Sequence, residues 1–311
     1  MIQKLMKGQL GNQMFQYAAA RALHEKFDKN GELVLAFTHK YYNAENNFKN
    51  HLTNFCLPEF VKFSDNIVLT DNQKKIIESL EEKSDMLYEM YGNAFEKKYI
   101  DYEREVQPFL NKNGICSMMN GYYPFDIRGD CVLLGYLETD KYFDDVREEI
   151  LKDFTPKYEP LEKNEELYSA TKNSNSICVS IRRGDFVENE TIRKRHYVCT
   201  EEYFYRAIKA MNEKVENPRY VFFSDDIEWV KNNIKAPEGS LYEDGTDPVW
   251  EKLRLMYNCK HFILSNSSFS WWAQYLSQNK EKVVIAPSIW QRVGYNPDIY
   301  QENWNLVDID E

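Results

Sequence analysis

Hydrophobic and polar positions alternate regularly at the start of the chain. A short apolar run, Ile2–Met6, leads into a glycine-containing loop, and apolar residues then recur at helical spacing from about Met14 to Phe27. Asn30 and Gly31 end that pattern, and a second apolar run follows at Leu33–Phe37. The N-terminus is therefore predicted to form a strand, a helix and a second strand.

The middle of the chain has a weaker pattern. Between residues 40 and 130 aromatic-rich loops are expected, with helices such as Asn72–Glu82. A strand at Cys131–Tyr136 and a helix at Lys141–Phe154 restore the periodicity. Thr155–Pro160 then interrupts both periodicities with its prolines, and it is predicted to link a domain of residues 1–155 to a domain of residues 156–311.

The second half alternates strands with helices. The predicted strands are Ile177–Ile181, Tyr220–Phe223, His261–Leu264 and Val283–Ala286, and the predicted helices are Thr200–Met211, Asp226–Asn233, Pro248–Cys259 and Ser268–Ser277. This alternation is typical of a parallel sheet covered by helices on both faces, which binds ligands at the carboxyl ends of its strands. The predicted fold class is α/β, with two Rossmann-like domains facing a cleft.

Composition narrows the classes of function. The 311 residues are 43% apolar and 15% aromatic, which suits a globular protein of about two domains. A formal net charge of −11 argues against a nucleic-acid partner, because clustered cations occur only at Arg193–Arg195. The chain has no apolar run of membrane-spanning length and no signal-peptide core at its start, so a cytoplasmic location is expected. The six cysteines form no Cys-x-x-Cys pair, so neither a zinc site nor a disulfide framework is indicated.

The most informative polar residues are Arg182 and Arg183, which directly follow the β-branched run that ends at Ile181. Arginine guanidinium groups match phosphate oxygens bidentately, and Gly184 and Asp185 add a turn and a carboxylate beside them. A phosphorylated substrate is therefore the first class to consider. The alternative is that both arginines pair with surface carboxylates of an acidic protein.

Polar side chains also follow two other strands predicted in this half. They are Ser224-Asp225-Asp226 and Asn266-Ser267-Ser268. Because the carboxyl ends of parallel strands meet at one edge of a sheet, we expect these loops to join the arginines in one site. The alternative for Ser267 and Ser268 is an ordinary helix cap.

Asp225 and Asp226 suggest two different roles. Adjacent carboxylates bind magnesium beside a diphosphate, but at the start of a helix they more commonly act as a cap and a dipole-favoured charge. Since Arg182 and Arg183 already supply countercharge, we favour the cap and expect no metal ion.

The first loop offers a second candidate anion site. Gly8 and Gly11 allow the backbone to turn tightly, and Asn12 and Gln13 precede the predicted helix, whose N-terminus carries partial positive charge. A phosphate or diphosphate is predicted to bind there.

Five segments, taken together and in this order, resemble the bacterial α-1,2-fucosyltransferase family. They are Gly8–Ala18, Gly135-Tyr136 with Lys141–Phe143, Ile181–Phe186, Phe223–Asp226 and Ser265–Trp272. The resemblance implies a GT-B-like, metal-independent, inverting transferase that moves L-fucose from GDP-β-L-fucose to the 2-hydroxyl of a galactose. Where the family usually has His two residues before the first arginine, this chain has Ser180.

This reaction assigns roles to particular residues. Arg182 and Arg183 would stabilise the departing diphosphate. Asp185 is the first candidate for the general base that takes the acceptor's proton, and Glu188 and Glu190 are alternatives. The competing role for Asp185 is an ion pair that orients an arginine.

Donor binding would involve further residues. Glu251 would accept hydrogen bonds from guanine. The other donor-binding candidates are Gly8, Gly11, Asn12, Gln13, Ser224, Asp225, Asn266, Ser267 and Ser268, beside Arg182 and Arg183.

The expected partners follow from the same resemblance. The N-terminal domain would hold a galactose-terminated glycan and contact phosphate through its first loop, and the C-terminal domain would bind GDP-fucose, with no cofactor. The sequence leaves open whether the final segment packs back on the N-terminal half and whether the chain forms a homo-oligomer. Two other functions also stay open, namely a transferase that uses another nucleotide sugar and a non-catalytic carbohydrate-binding protein.

Overall fold

The chain folds into two compact units. The computed structural model describes residues 1–43, 48–91, 97–119, 121–292 and 298–309. The first unit contains Met1–Thr155 together with a later segment that ends at Tyr300, and the second contains Pro156–Arg292 and the chain from Gln301 onward. In the described part of the chain, no helix combines the length and apolar character needed to cross a bilayer.

The first unit is a five-stranded parallel sheet with helices, in the strand order β3-β2-β1-β5-β4. Its elements are β1 (Ile2–Leu5), α1 (Leu10–Phe27), β2 (Leu33–Ala36), β3 (Val61–Ser64), α2 (Asp71–Tyr91), α3 (Lys97–Lys112), β4 (Ile115–Ser117), β5 (Cys131–Leu134) and α4 (Arg147–Asp153). Helix α1 is buried along most of its length, and the Tyr17 hydroxyl donates to Asp153 Oδ2 over 2.6 Å. That hydrogen bond ties α1 to the end of α4.

The second unit is a six-stranded parallel sheet in the order β11-β10-β9-β6-β7-β8. Its elements are α5 (Glu165–Asn173), β6 (Asn175–Ile181), α6 (Gly184–Glu188), α7 (Glu190–His196), α8 (Glu201–Asn212), β7 (Pro218–Ser224), α9 (Ile227–Asn233), β8 (Leu241–Tyr242), α10 (Val249–Tyr257), β9 (His261–Ile263), α11 (Ser268–Leu276), β10 (Val284–Pro287) and β11 (Asn305–Val307). The central strand β6 is buried from Ser176 to Ile181, as expected for a strand covered on both faces.

The register of this sheet places the ends of three strands close together. Along the β6–β7 ladder Ile181 pairs with Ser224, and on the other side of β6 Val179 pairs with Ile263. The residues that follow β6, β7 and β9 therefore emerge at one edge. The two parallel sheets with their helices confirm the predicted α/β class with Rossmann-like units.

Two predicted helix boundaries were wrong. Helix α1 begins at Leu10 rather than near Met14, so Gly11, Asn12 and Gln13 lie in its first turn instead of in a loop. The helix predicted at Lys141–Phe154 is two short 3-10 turns followed by α4, because Thr139 Oγ1 accepts from Lys141 N and starts a separate turn there. The helices α6 and α7 were not predicted at all.

Gly135 tests how tightly the loop after β5 is constrained. Its φ is 85°, and a Cβ atom there would lie 1.9 Å from the Met118 carbonyl oxygen. Gly135→Ala is expected to lower the free energy of unfolding by about 2–3 kcal/mol or more, measured by urea denaturation, because left-handed strain and a backbone clash add. Gly129→Ala is the matched control, since Gly129 has φ 96° but nothing within 4 Å of an added Cβ. Equal losses in the two variants would show that the clash is relieved without cost.

Candidate functional site

Arg182 and Arg183 follow β6 and are held by carboxylates from two loops. Arg182 Nη1 donates to Asp225 Oδ2 over 2.5 Å, and Arg182 Nη2 donates to Asp185 Oδ1. The second oxygen of Asp225 accepts from the Arg183 backbone N over 2.8 Å. Asp225 therefore fixes the side chain of one arginine and the backbone of the next.

Arg183 is positioned by a different set of contacts. Its guanidinium carbon lies 3.3 Å from the centroid of the Trp229 ring, and its Nε donates to Asp226 Oδ2 over 3.2 Å. The other oxygen of Asp226 accepts from Trp229 N and caps α9. The Arg183 side chain is 12% exposed and that of Arg182 is 34% exposed, so both reach solvent from fixed positions.

Asp225 and Asp226 use their carboxylates within the fold. Each carboxylate is bonded to an arginine, and Asp226 also caps α9 as the sequence analysis favoured. A cation would have to compete with a guanidinium for both groups. Among the described residues, Glu243, Asp244 and Asp247 are also close enough to share a metal ion, but Lys163 and Lys252 form salt bridges with them.

The loop after β9 contributes mainly structural contacts to this edge of the sheet. Asn266 is buried, and its Nδ2 donates to the His196 and Trp290 carbonyl oxygens over 2.8 and 2.9 Å. Asn266 thereby joins the end of α7 to the chain after β10. Its Nδ2 group is occupied by these two bonds, although Asn266 was predicted to bind the donor. Ser267 is the N-cap residue of α11 but its side chain makes no capping hydrogen bond, and Ser268 is the first residue of that helix; both are partly exposed.

Ser180 packs inside the same edge. Its hydroxyl lies 2.6 Å from Ser270 Oγ, which is 3.0 Å from Ser265 Oγ. The three hydroxyls form a buried chain between β6, α11 and the loop after β9. Ser180 is smaller than the His that the family usually has at this position, and its hydroxyl is hydrogen-bonded within the unit.

The first loop of the other unit is organised by glutamine side chains. Gly8 has φ 77°, and its carbonyl oxygen accepts from Gln13 Nε2 and the Tyr42 hydroxyl. Gln13 is fully buried, and its Oε1 accepts from His51 N. The Gln13 side chain therefore stabilises the loop from the interior of the unit. Its amide is not available to a phosphate, although Gln13 was predicted to bind one. Gly11 is buried and Asn12 is partly exposed at the start of α1.

Two predicted residues lie outside the arginine site. Glu251 is fully buried, and its two oxygens accept from Leu161 N, Asn164 Nδ2 and the guanidinium of Arg254. Both oxygens of Glu251 are therefore occupied inside the unit. The prediction that Glu251 accepts hydrogen bonds from guanine is not supported. Glu190 starts α7, pairs with Lys194 at 2.7 Å and is 82% exposed.

Sequence reasoning missed the aromatic residues that position the arginines. Trp229 stands three residues after the Asp226 cap, so one helical turn brings its ring back to Arg183. Phe186 lies beside Arg182 and stacks on His196 at 5.2 Å. Burial, reinforced by Arg195, lowers the pKa of His196 to about 4, so its ring is neutral at pH 7. The sequence signal that could have revealed these contacts is an aromatic residue about one helical turn after a charged residue, as with Trp229 after Asp226 and Phe186 after Arg182.

Two Rossmann-like units, one of them with paired arginines at the carboxyl edge of its sheet where such folds bind ligands, make up a fold of the GT-B-like class. The chain belongs to glycosyl transferase family 11, whose family model matches residues 1–308. The match confirms the family resemblance, and with it the prediction of an enzyme.

The chain is similar to two enzymes in sequence and to one solved structure in fold. The chain is 30% identical over 312 residues to the alpha-1,2-colitosyltransferase of Escherichia coli, with 97% of each covered. It is 27% identical over 146 residues to galactoside alpha-(1,2)-fucosyltransferase 1 of Leontopithecus chrysomelas, covering 44% of this chain and 40% of that protein. The crystal structure of NodZ alpha-1,6-fucosyltransferase, co-crystallized with GDP, matches with a TM-score of 0.52 at 12% identity, over 88% of this chain and 91% of that chain. NodZ is from Bradyrhizobium, and its likeness shows the fold.

The ion pair between Asp185 and Arg182 yields a prediction. Asp185→Asn keeps the shape of the side chain but removes the charge that holds Arg182 Nη2. Affinity for GDP, the nucleotide of the predicted donor, measured by calorimetry should therefore fall by up to about fivefold, the size expected of a half-exposed pair. Glu190→Gln, which breaks a pair on the exposed α7, should leave GDP affinity unchanged. Unchanged GDP binding in Asp185→Asn would remove Asp185 from the orienting role.

Proposed function

We propose that the protein transfers L-fucose from GDP-β-L-fucose to the 2-hydroxyl of a galactose in a glycan, with inversion at the fucose carbon. The observation that carries this proposal is the fixed pair Arg182 and Arg183 at the carboxyl end of β6, in a chain of glycosyl transferase family 11. The linkage is supported by the relatives above, whose names specify alpha-1,2 transfer and, in one case, a galactoside acceptor.

The arginine pair would act on the leaving group. As the bond from fucose to the β-phosphate breaks, negative charge grows on the diphosphate, and cations already held in place stabilise that charge without reorganising. Asp225, Asp226 and Trp229 supply this preorganisation. In this arrangement Asp185 orients Arg182, which favours the second of the two roles considered for it.

Other donor contacts would come from groups near the arginines. Ser224 ends β7, and its Oγ accepts from Asp226 N, while Ser267 and Ser268 open α11, whose first amides favour an anion. The second unit is thus proposed to hold GDP-fucose. The first unit is proposed to hold the galactose-terminated glycan, with Gly8, Gly11 and Asn12 at the start of α1 contacting phosphate.

The proposed transfer needs no metal ion or other cofactor. Countercharge for the diphosphate comes from two guanidinium groups, and the nearby carboxylates are already bonded to them. This supports a metal-independent reaction.

A second donor is favoured by one observation. The 30% identical relative is a colitosyltransferase, and colitose is L-fucose without its 3-hydroxyl. A site that accommodates L-fucose can accept the smaller sugar unless it hydrogen-bonds the missing hydroxyl. GDP-colitose is therefore the second candidate donor.

The function is tested with the wild-type protein, a donor panel and galactosides, in buffer containing EDTA. The panel contains GDP-fucose, GDP-colitose, UDP-galactose and CMP-sialic acid, and product linkage is determined by NMR. We expect fucose on the 2-hydroxyl of galactose, and GDP but not UDP or CMP should raise the melting temperature, because only a bound ligand stabilises the fold. Transfer from another donor alone would replace the proposed donor. Loss of activity in EDTA that magnesium restores would reassign Asp225 and Asp226.

The role of the arginines is tested separately. Arg182→Ala and Arg183→Ala should each slow transfer by about 2–4 kcal/mol in transition-state stabilisation, as when one preorganised anion donor is removed, and the fold should persist. Arg219→Ala is the matched control, because Arg219 stands at the amino end of β7, at the opposite edge of the same sheet. Wild-type turnover in either arginine variant would refute the proposed site.

A further inference from the structure

Four partly buried polar side chains follow three adjacent strands of the first unit, β2, β1 and β5. We call Lys7, Tyr41, Tyr136 and Glu138 the edge cluster. Strands β1 and β5 run parallel with Lys4 opposite Leu133, so the residues after them emerge at one edge of the sheet. Lys7 Nζ lies 4.4 Å from the centroid of the Tyr41 ring, and Tyr136 interacts electrostatically with both Tyr41 and Glu138.

Glu138 differs from the carboxylates of the arginine site. In the described ranges of the chain, no hydrogen bond or ion pair reaches its carboxylate, whereas Asp185, Asp225 and Asp226 are each bonded to an arginine. A half-buried carboxylate without a donor destabilises the fold, because it has lost water and gained no partner. Such a group is expected where a ligand supplies the partner.

The backbone that carries Glu138 is strained and fixed. Leu137 is fully buried with φ 59°, a left-handed conformation that non-glycine residues rarely adopt, and Gly135 has φ 85°. Lys4 Nζ donates to the Gly135 carbonyl oxygen over 3.0 Å, and Thr139 N donates to the Leu137 carbonyl oxygen over 2.9 Å. Strain of this kind clusters at ligand sites, where it holds a side chain in one direction.

The protonation states of Tyr136 and Glu138 near pH 7 suit the binding of a sugar hydroxyl. Burial raises the pKa of Glu138 to about 7, and burial with the nearby Glu138 charge raises the pKa of Tyr136 to about 12. At pH 7 the Tyr136 hydroxyl is thus a hydrogen-bond donor, while Glu138 exchanges its proton near the working pH, where a general base is most effective.

We propose that the edge cluster binds the acceptor sugar and that Glu138 is the catalytic base. This inference rests on the proposed function. The proton of the attacking hydroxyl passes to the Glu138 carboxylate, the hydroxyl oxygen forms a bond to the fucose anomeric carbon, and the bond from that carbon to the β-phosphate oxygen breaks. The electron pair of the broken bond leaves on GDP, so charge and protons balance.

Glu138 fits this role better than Asp185. A base must have a lone pair directed at the acceptor, and an oxygen of Asp185 is occupied by Arg182 Nη2. No such cation is bonded to Glu138 within the described part of the chain.

The experiment compares Glu138→Gln with the wild type and with Glu32→Gln. Glu32 is an exposed residue that precedes β2, at the opposite edge of the same sheet, so its variant is the matched control. Glu138→Gln should lower kcat at least about 100-fold, the usual size of general-base catalysis, with the KM for the donor and the GDP-induced rise in melting temperature unchanged. Glu138→Asp, which keeps the carboxylate, should recover part of the lost turnover.

Two pH readouts accompany the kinetics. Wild-type kcat should rise with pH to a plateau above pH 7, because Glu138 must lose its proton to act, and this rise should vanish in Glu138→Gln. The raised pKa means that between about pH 4.5 and 7 the folded state holds a proton that the unfolded state lacks, so the wild type loses stability as pH rises through this range. The melting temperature of Glu138→Gln relative to wild type should therefore increase from pH 5 to pH 8.

The outcomes separate this inference from the proposed function. The variants are compared with whichever donor of the panel the wild type uses, so a donor other than GDP-fucose replaces the proposed function and still tests Glu138. Wild-type kcat in Glu138→Gln overturns the inference. A relative melting temperature that does not change with pH, or an equal loss of activity in Glu32→Gln, also overturns it.

Discussion

The in-register parallel pairing of β6 with β7 is the constraint on which the site depends. Because Ile181 lies opposite Ser224, the first residues after the two strands are Arg182 and Asp225, and Asp225 can reach a guanidinium and the Arg183 backbone together. A slip of one residue would turn these side chains to the other face of the sheet. Buried Val179 and Phe222, partners along the same ladder, make such a slip costly.

The carboxylates around the arginines have a physical consequence for binding. Two guanidinium groups close together repel each other, and Asp225, Asp226 and Asp185 offset that repulsion while fixing their directions. Trp229 adds an apolar surface with a negative ring face on Arg183. The two guanidinium groups are thereby fixed in position, and the proposed role requires this of groups that stabilise charge as it develops.

The first unit also has two loops that follow neighbouring parallel strands, β1 and β5. Its first loop is closed by buried amides of Gln13 and Gln16, which bond to Gly8, Lys7 and Asn12 carbonyl oxygens. The loop after β5 contains Leu137, which has a strained backbone, and Glu138, whose carboxylate is bonded to no cation among the described residues. Because the two strands are neighbours, both loops emerge at one edge of the sheet. That edge combines the rigid first loop with Glu138, whose pKa burial raises to about 7.

The sequence by itself determined the α/β class, the strands that carry the polar loops and the family, since alternating patterns and short motifs depend on local spacing. It also supplied the arginine pair and the cap role of Asp226, because a residue after a buried strand must emerge at the sheet edge. Only the tertiary structure decided which polar groups remain available to a ligand. Glu251, Gln13 and Asn266 carry the same chemistry as binding residues, yet each is buried and bonded to groups distant in sequence. A side chain's availability depends on partners that folding brings together, and no local pattern encodes those partners.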